Sequence, residues 1–262
     1  MHFLFLISEN ANMCFQTELL MRSILYFSPH GSDTKFSVIV NGDKSGPIKN
    51  PLKIINHKLK NSFINKHAEV LSCEYHWLVP APSRWFINPR CKSCVFIDVD
   101  MIACRNLFPL YNLKKNFIYG VNSIKIPMNQ KEWERLGFFS KSDFKYYFNF
   151  GMLVVPSYLM LKIGNMLMTI LPVILQKFKK YEYFAAQIAL ACVLKKLKIK
   201  KIVLPRNFNY VDTPNHDDDN FDDILFLHYV HNRKYYKNFQ SHLTVEENVY
   251  TKKINEIIKK IY

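Results

Sequence analysis

The sequence has few cysteines for its length, with six in 262 residues at positions 14, 73, 91, 94, 104 and 192. A number this small and this dispersed excludes a disulfide scaffold and favours a reducing cytosol. Cys91 and Cys94 have the spacing of a zinc-ligand pair, but a structural zinc site needs a second pair, and no other C-x-x-C or H-x-x-x-H occurs. We therefore favour free thiols at the entry to a strand.

Acidic residues are also few, since 21 Asp and Glu face 36 Lys and Arg and leave a net charge of +15. Such an excess implies an anionic partner, which could be nucleic acid, a phosphorylated substrate or an acidic membrane face. The lysines are spread along the chain, and no helix-turn-helix, zinc-finger or RNA-recognition signature occurs. We therefore expect no nucleic-acid partner.

Long uninterrupted apolar runs are absent from both places where a membrane segment could lie. The N-terminus has five apolar residues in a row and no basic region before them, so we do not expect a signal peptide. The apolar stretch from Met152 to Phe178 is broken by two prolines and three other polar or small residues, Pro156, Lys162, Gly164, Asn165 and Pro172. A strand followed by a buried helix is favoured over a transmembrane span, and a cytoplasmic location is expected.

What the chain does have is ample core material, with 49% hydrophobic and 15% aromatic residues in a length that fits one large domain. A strand at Phe3 to Ile7, a polar turn, a helix at Phe15 to Phe27 and a strand at Lys35 to Val40 are typical of the start of a doubly wound α/β sheet. Ligands of such sheets bind at the carboxyl ends of the strands. Ser8 and Asn10, in the turn at residues 8–12, are therefore candidate nucleotide contacts.

Two carboxylates interrupt the apolar stretch from Cys94 to Leu110, in the order D-V-D. Side chains two residues apart in an extended strand share a face, so Asp98 and Asp100 are expected side by side at a strand end. Adjacent carboxylates repel each other and are costly to desolvate without a cation. Hard oxygen ligands of this kind suit Mg²⁺ or Mn²⁺.

This D-V-D, followed by N-L-F-P-L, resembles the D-x-D motif of nucleotide-sugar glycosyltransferases of the GT-A fold, in particular glycosyltransferase family 8. The resemblance implies a Rossmann-like α/β fold with a mostly parallel mixed sheet flanked by helices. It also implies Mn²⁺ or Mg²⁺ as cofactor and a glycan or glycolipid as acceptor. The implied donor is a nucleoside diphosphate sugar, with UDP as the expected nucleotide. Family 8 enzymes retain the anomeric configuration, which we expect here.

Further segments resemble the family in the same order along the chain. F-N-F-G is similar to a family segment whose Asn, here Asn149, reaches the donor sugar and whose Gly, here Gly151, permits close backbone approach. Leu204-Pro205 followed by Phe208-Asn209 resembles the family's L-P-x-x-F/Y-N loop, which is structural as often as functional.

The stretch from Leu227 to Lys234 resembles the family's H-F/Y-x-G-x-x-K-P-W segment. The resemblance implies that His228 completes the metal shell and that Lys234 contacts the diphosphate. Imidazole is a good Mn²⁺ ligand, and an ammonium can offset the charge of a departing diphosphate. The chain departs from the family at the Gly position, which is His231, and Tyr235-Tyr236 replaces Pro-Trp.

The helix predicted at Tyr183 to Leu197 carries a sharper departure. Gln187 matches a family Gln that faces the sugar, but Ala186 stands where the family has Asp or Glu. Arg84 corresponds to a family Arg near the donor, and a surface salt bridge is the alternative interpretation. The loss at Ala186 implies a different donor, a different acceptor geometry or reduced activity, and it leaves open a noncatalytic sugar-nucleotide or glycan-binding protein on the same fold.

Two charged segments lie outside these motifs. The acidic run at residues 216–223 lacks the Gly and distal Glu of a calcium loop, so we interpret it as a solvated loop.

We divide the chain into a catalytic domain at residues 1–240 and a basic amphipathic helix at residues 241–262. Isoleucines at 254, 257, 258 and 261 share one face of that helix, with lysines at 252, 253, 259 and 260 around it. The helix either packs on the domain or lies peripherally on an anionic membrane.

Overall fold

The computed structural model describes residues 1–41, 54–73, 81–89, 91–123, 126–140, 147–211, 221–229 and 249–262. Its strands are β1 (His2–Ser8), β2 (Lys35–Asn41), β3 (Ile54–Asn56), β4 (Ala68–Cys73), β5 (Ser93–Ile97), β6 (Met101–Ala103), β7 (Ile118–Asn122), β8 (Phe148–Pro156), β9 (Lys201–Val203), β10 (Tyr210–Val211) and β11 (Phe226–His228). Its α-helices are α1 (Ala11–Phe27), α2 (Ser62–His67), α3 (Phe108–Tyr111), α4 (Gln130–Glu134), α5 (Ser157–Lys177), α6 (Ala185–Lys196) and α7 (Val249–Ile261).

The main sheet of the described chain has eight strands in the order β3-β4-β2-β1-β5-β8-β7-β9. Strands β4, β2, β1 and β5 are parallel neighbours, and β8 runs antiparallel to both β5 and β7. The carboxyl ends of β1, β2 and β5 therefore meet at one edge of the sheet, together with the beginning of β8. This edge is called the carboxyl edge below, and the opposite one the amino edge.

Both faces of the main sheet are buried, which explains why its central strands are apolar runs rather than alternating patterns. In β1, Leu4 packs into one core together with side chains of α5 and α6, whereas Phe3 and Phe5 pack into a second core with side chains of α1. The same alternation in β5 sends Phe96 to the first core and Val95 to the second. Helices on both faces of a mostly parallel sheet make the three-layer α/β arrangement that the sequence predicts.

The first helix begins earlier than the sequence predicts. It starts at Ala11 rather than Phe15, because the Asn10 side chain accepts a hydrogen bond from the backbone N–H of Met13 at 2.9 Å and caps the helix. The polar turn predicted at residues 8–12 is therefore shorter. Arg84 lies in a 3₁₀ helix at Ala81–Phe86.

Helix α5 follows β8 in the predicted order of strand and helix. Among the described helices it is the one whose length and composition would allow it to cross a membrane. Of its most apolar 18-residue stretch, 33% is buried inside the protein. The inward face consists of side chains at helical spacing, Met160, Ile163, Leu167, Leu171 and Ile174. These pack with α6 in the first core.

Strands β10, β11 and β6 form a small second sheet beside α1 and α7. Ile254 and Ile257 of α7 are each only 2% exposed, and Tyr262 stacks on Phe15 of α1 with ring centroids 6.5 Å apart. The isoleucine face of the C-terminal helix therefore packs on the protein. Of the four lysines around it, those at 252, 259 and 260 are exposed.

Candidate metal centre

Two short strands bring the carboxylates and a distant histidine together. Asp98 follows β5, and its backbone N–H donates to the carbonyl of Gly151 in β8 at 2.9 Å. Asp100 immediately precedes β6, which pairs antiparallel with β11 so that His228 lies opposite Met101. As a result, one ligand atom each from Asp98, Asp100 and His228 lies within 4.8 Å of the others. This cluster sits at the carboxyl edge of the main sheet.

The cluster concentrates charge in a partly desolvated place. His228 Nε2 lies 3.2 Å from Asp100 Oδ1, and these side chains are 6% and 13% exposed. Burial disfavours the imidazolium, but Asp100 and Asp98 together more than compensate, so the pKa of His228 is raised. Burial also raises the pKa of Asp98; the Asp100 charge adds to this, whereas Arg84 opposes it. Binding of a cation would relieve the repulsion between the two carboxylates.

A chain of amide hydrogen bonds determines which nitrogen of His228 is free for a ligand. The Gly151 N–H donates to Asn149 Oδ1 at 2.7 Å, which identifies that atom as an acceptor. The Asn209 side chain donates from Nδ2 to the same Asn149 oxygen at 2.9 Å. The Oδ1 atom of Asn209 is therefore the one that faces His228 Nδ1, at 3.0 Å. Nδ1 must then carry a hydrogen. The lone pair of neutral His228 is therefore on Nε2, which points toward the carboxylates.

Gly151 leaves the space that the imidazole occupies. A Cβ at this position would lie 2.6 Å from both Cε1 and Nδ1 of His228 and 2.8 Å from Asn149 Oδ1. Real Cβ atoms do not approach other atoms this closely, so any larger residue would displace the ring or the amide. The close approach predicted for this glycine is thus toward a metal-ligand candidate of the same chain.

Arg84 is buried next to Asp98 and does not lie at the surface. It is 4% exposed, its Nη1 is 3.4 Å from Asp98 Oδ1, and its guanidinium lies over the Phe96 ring at 5.6 Å from the centroid. Burial lowers the pKa of Arg84, while Asp98 opposes the shift; the guanidinium stays charged because its pKa starts so high. The surface salt bridge considered from the sequence is excluded by this burial.

The donor set fits a hard or borderline divalent ion. Two carboxylates and one imidazole nitrogen are ligands that Mn²⁺ accepts, and Mg²⁺ prefers the same oxygens. Three protein ligands leave coordination positions open for oxygen atoms of a substrate. The second layer that orients a ligating histidine, here Asn209 and Asn149, is already in place.

The sequence did not single out Asn209 as a site residue, although it lies in the noted L-P-x-x-F/Y-N segment. It is 1% exposed and connects His228 to Asn149 across three separate segments of the chain. The segment match was the available signal. The link to His228 could not be inferred without knowing that β10 pairs with β11.

The start of α6 lies beside the cluster. The pKa of Tyr183, just before α6, is raised by desolvation and then by the charges of Asp100 and Asp98. Gln187, one turn further on, has a buried Oε1 without a hydrogen-bond partner among the described residues. Ala186 is 3% exposed.

The remaining predicted residues stand as follows. Ser8 lies at the carboxyl end of β1, next to Asn41 of β2 in the sheet register, and the Asn41 Oδ1 is buried without a partner in the described structure. Asn10 caps α1, so its amide oxygen is already used. Lys234 and His231 lie outside the described residues.

Comparisons with known proteins identify the fold. No family model and no curated protein sequence matches the chain. Among solved structures it is similar to the galactosyltransferase LgtC in complex with donor and acceptor sugar analogs, with a TM-score of 0.63 and 13% identity over 99% of this chain and 96% of that one. An LgtC structure with an active-site glutamine changed to glutamate has a TM-score of 0.61 and 11% identity, with the same coverage.

The bifunctional glycosyltransferase WbbM has a TM-score of 0.63 and 16% identity over 100% of this chain, which spans 51% of that one. The glycosyltransferase GlyE of Streptococcus pneumoniae TIGR4 has a TM-score of 0.56 and 14% identity over 99% of this chain and 63% of that one. These likenesses establish the GT-A fold, so the predicted fold class is confirmed.

Proposed function

We propose that this protein is a metal-dependent glycosyltransferase that moves a hexose from a nucleoside diphosphate sugar to a glycan or lipid-linked glycan. UDP is the expected nucleotide of the donor. The observation that carries the proposal is the cluster of Asp98, Asp100 and His228 at the carboxyl edge of a GT-A sheet. Ligands of open α/β sheets bind at this edge. The structural likeness to LgtC, which was solved with donor and acceptor sugar analogs, supports the same reading.

In this proposal, Asp98, Asp100 and Nε2 of His228 hold Mn²⁺ or Mg²⁺. A bound ion would supply positive charge to the diphosphate of the donor. Asn209 keeps the imidazole turned toward the carboxylates, and the guanidinium of Arg84 forms an ion pair with Asp98. These contacts preorganise the ligands before the donor arrives, which lowers the cost of binding it.

The reaction breaks the bond between the anomeric carbon and the diphosphate oxygen, and the electron pair leaves with the diphosphate. The acceptor hydroxyl oxygen forms the new bond to the oxocarbenium-like anomeric carbon, and its proton passes to the departing diphosphate. Asn149 and Gln187 are proposed to face the sugar, Ser8 and Asn10 the nucleotide, and Lys234 the diphosphate. The unpartnered Oε1 of Gln187 supports its role, as does the glutamine in the active site of LgtC. Retention of anomeric configuration follows if the resemblance to family 8 holds.

The alternative is a noncatalytic protein that binds a sugar nucleotide or glycan on the same fold. Ala186 favours it, because the methyl group stands where the resembled family carries a carboxylate beside the donor or acceptor. Such a protein would keep the metal cluster and bind the donor without cleaving it.

Hydrolysis of a panel of UDP- and GDP-sugars, measured with and without Mn²⁺, tests the proposal. We expect turnover of at least one donor only with the cation. We expect Asp100→Asn to lower it by at least about a hundredfold, as loss of a group that stabilises transition-state charge typically does. The matched control is Asp33→Asn, an exposed aspartate near the amino edge. Binding without hydrolysis would support the alternative, and activity of Asp100→Asn in excess chelator would contradict the metal assignment.

A further inference from the structure

A second cluster of potential metal ligands lies at the amino edge of the main sheet, where the parallel strands begin. His2 is the first residue of β1, and its register partner in β5 is Cys94. Cys91 lies two residues before β5. All three residues are far along the strands from the carboxylates at the other edge. This cluster therefore plays no part in the centre described above.

The two sulfur atoms already have the spacing of ligands in a tetrahedral site. Cys91 Sγ and Cys94 Sγ are 3.6 Å apart, and a ring nitrogen of His2 lies within 4.8 Å of both. Zinc–sulfur bonds of about 2.3 Å in a tetrahedron place two sulfurs about 3.8 Å apart. Small shifts of the histidine would complete a three-ligand arrangement.

The surroundings of His2 select the tautomer that a metal requires. Its Nε2 lies 2.8 Å from Ser37 Oγ, and that hydroxyl donates its one hydrogen to Glu69 Oε2 at 3.2 Å. Nε2 must therefore be the protonated nitrogen, which leaves a lone pair on Nδ1. The side chain is 6% exposed, and Nδ1 is buried without a hydrogen-bond partner among the described residues. A buried imidazole nitrogen with a free lone pair and a Ser–Glu relay behind it is the arrangement found around ligating histidines.

We propose that His2 Nδ1, Cys91 Sγ and Cys94 Sγ bind a thiophilic divalent ion, with Zn²⁺ as the expected ion. Binding displaces the protons of both thiols, and the fourth position is taken by water or by Ser157, whose Oγ lies 3.8 and 3.9 Å from the two sulfurs. Cys91 is half-buried and gives the ion access from solvent, whereas Cys94 is buried. The site ties the first residue of β1 to the entry of β5, and its soft ligands make it selective against the hard ion expected at the carboxylates.

Cobalt substitution tests this site directly in reduced, chelator-treated protein without a histidine tag. We expect a thiolate-to-cobalt charge-transfer band in the near ultraviolet with the intensity of one thiolate-bound Co²⁺ per chain, which Zn²⁺ then abolishes by displacement. Cys91→Ser should remove the band, and Asp98→Asn should leave it unchanged. The matched control is Cys192→Ser, which changes a half-buried cysteine outside the cluster. Circular dichroism verifies that each variant is folded.

The hydrogen-bond relay offers a second variant that leaves all three ligands intact. Ser37→Ala should weaken Zn²⁺ affinity by about 10- to 100-fold, the usual effect of losing a partner behind a ligating histidine. Absence of a charge-transfer band in protein with six titratable thiols would overturn the proposal, as would a band that persists in Cys91→Ser. Loss of two thiols without reductant, with no cobalt binding after reduction, would instead identify the pair as a disulfide couple and would also overturn it.

Discussion

Replacing Gly151 by alanine would test whether the imidazole of His228 must lie where the structure places it. The added Cβ would be 2.6 Å from Cε1 and Nδ1 of that ring. Carbon atoms in contact are about 3.5–4.0 Å apart, so the ring must move by about 1 Å. Because the Nδ1 hydrogen bond to Asn209 is 3.0 Å long, such a shift would break it and turn Nε2 away from the carboxylates.

The expected size of the effect follows from the cost of this overpacking. Inserting a methyl group into a well-packed site costs about 1–3 kcal/mol. If most of this cost falls on the bound geometry of His228, Mn²⁺ affinity falls by about 10- to 100-fold, at about 1.4 kcal/mol for each factor of ten. The Mn²⁺ concentration that half-activates donor hydrolysis should rise by the same factor.

Titration calorimetry with Mn²⁺ alone measures the affinity without depending on the identity of the donor. The control is Gly31→Ala, where the nearest atom to an added Cβ is the Leu25 carbonyl oxygen at 3.6 Å, an ordinary contact. This variant should bind Mn²⁺ like the wild type. If Gly151→Ala also binds Mn²⁺ within threefold of the wild type, His228 is not held as we describe, and the metal centre needs a different third ligand.

Three further predictions concern the tautomer, the pH dependence of stability and the C-terminal helix. Asn209→Leu should weaken Mn²⁺ binding by about 10- to 100-fold, measured by calorimetry, because Nδ1 of the histidine loses its acceptor; unchanged binding would contradict the tautomer. The Lys180 ammonium lowers the pKa of Glu132 to about 2, so this pair stabilises the fold above the ordinary carboxyl pKa of 4.5 and loses that effect as pH falls toward 2. The melting temperature of Glu132→Gln should therefore be lower than that of the wild type at neutral pH, with a narrower gap at pH 3 that closes toward pH 2, and a constant gap would refute this. Ile257→Ala should cost about 2–5 kcal/mol of unfolding free energy in denaturant titrations, whereas exposed Lys260→Ala should stay within about 0.5 kcal/mol; equal effects would mean that α7 does not pack as described.

The central strands and the position of the carboxylates could be predicted because their signals are local. A strand buried on both faces is a short apolar run, and β1, β2 and β5 are such runs. Asp98 and Asp100 directly follow one of them, so their proximity to each other required only the two-residue period of an extended chain. The start of α1 was misplaced because Asn10 acts as a helix cap within a stretch that resembles a polar turn.

The tertiary structure decided how these local pieces meet. That His228 comes to Asp100 depends on the antiparallel pairing of β11 with β6, and the proton position on its ring depends on Asn209, which another strand pairing brings close. The sequence indicated one C-x-x-C pair without a partner, and only the register of β1 against β5 supplies His2 beside it. Apolar periodicity specifies which residues become strands, but the order and register of strands arise from packing between segments far apart in the chain. The chemistry of both clusters depends on that order and register.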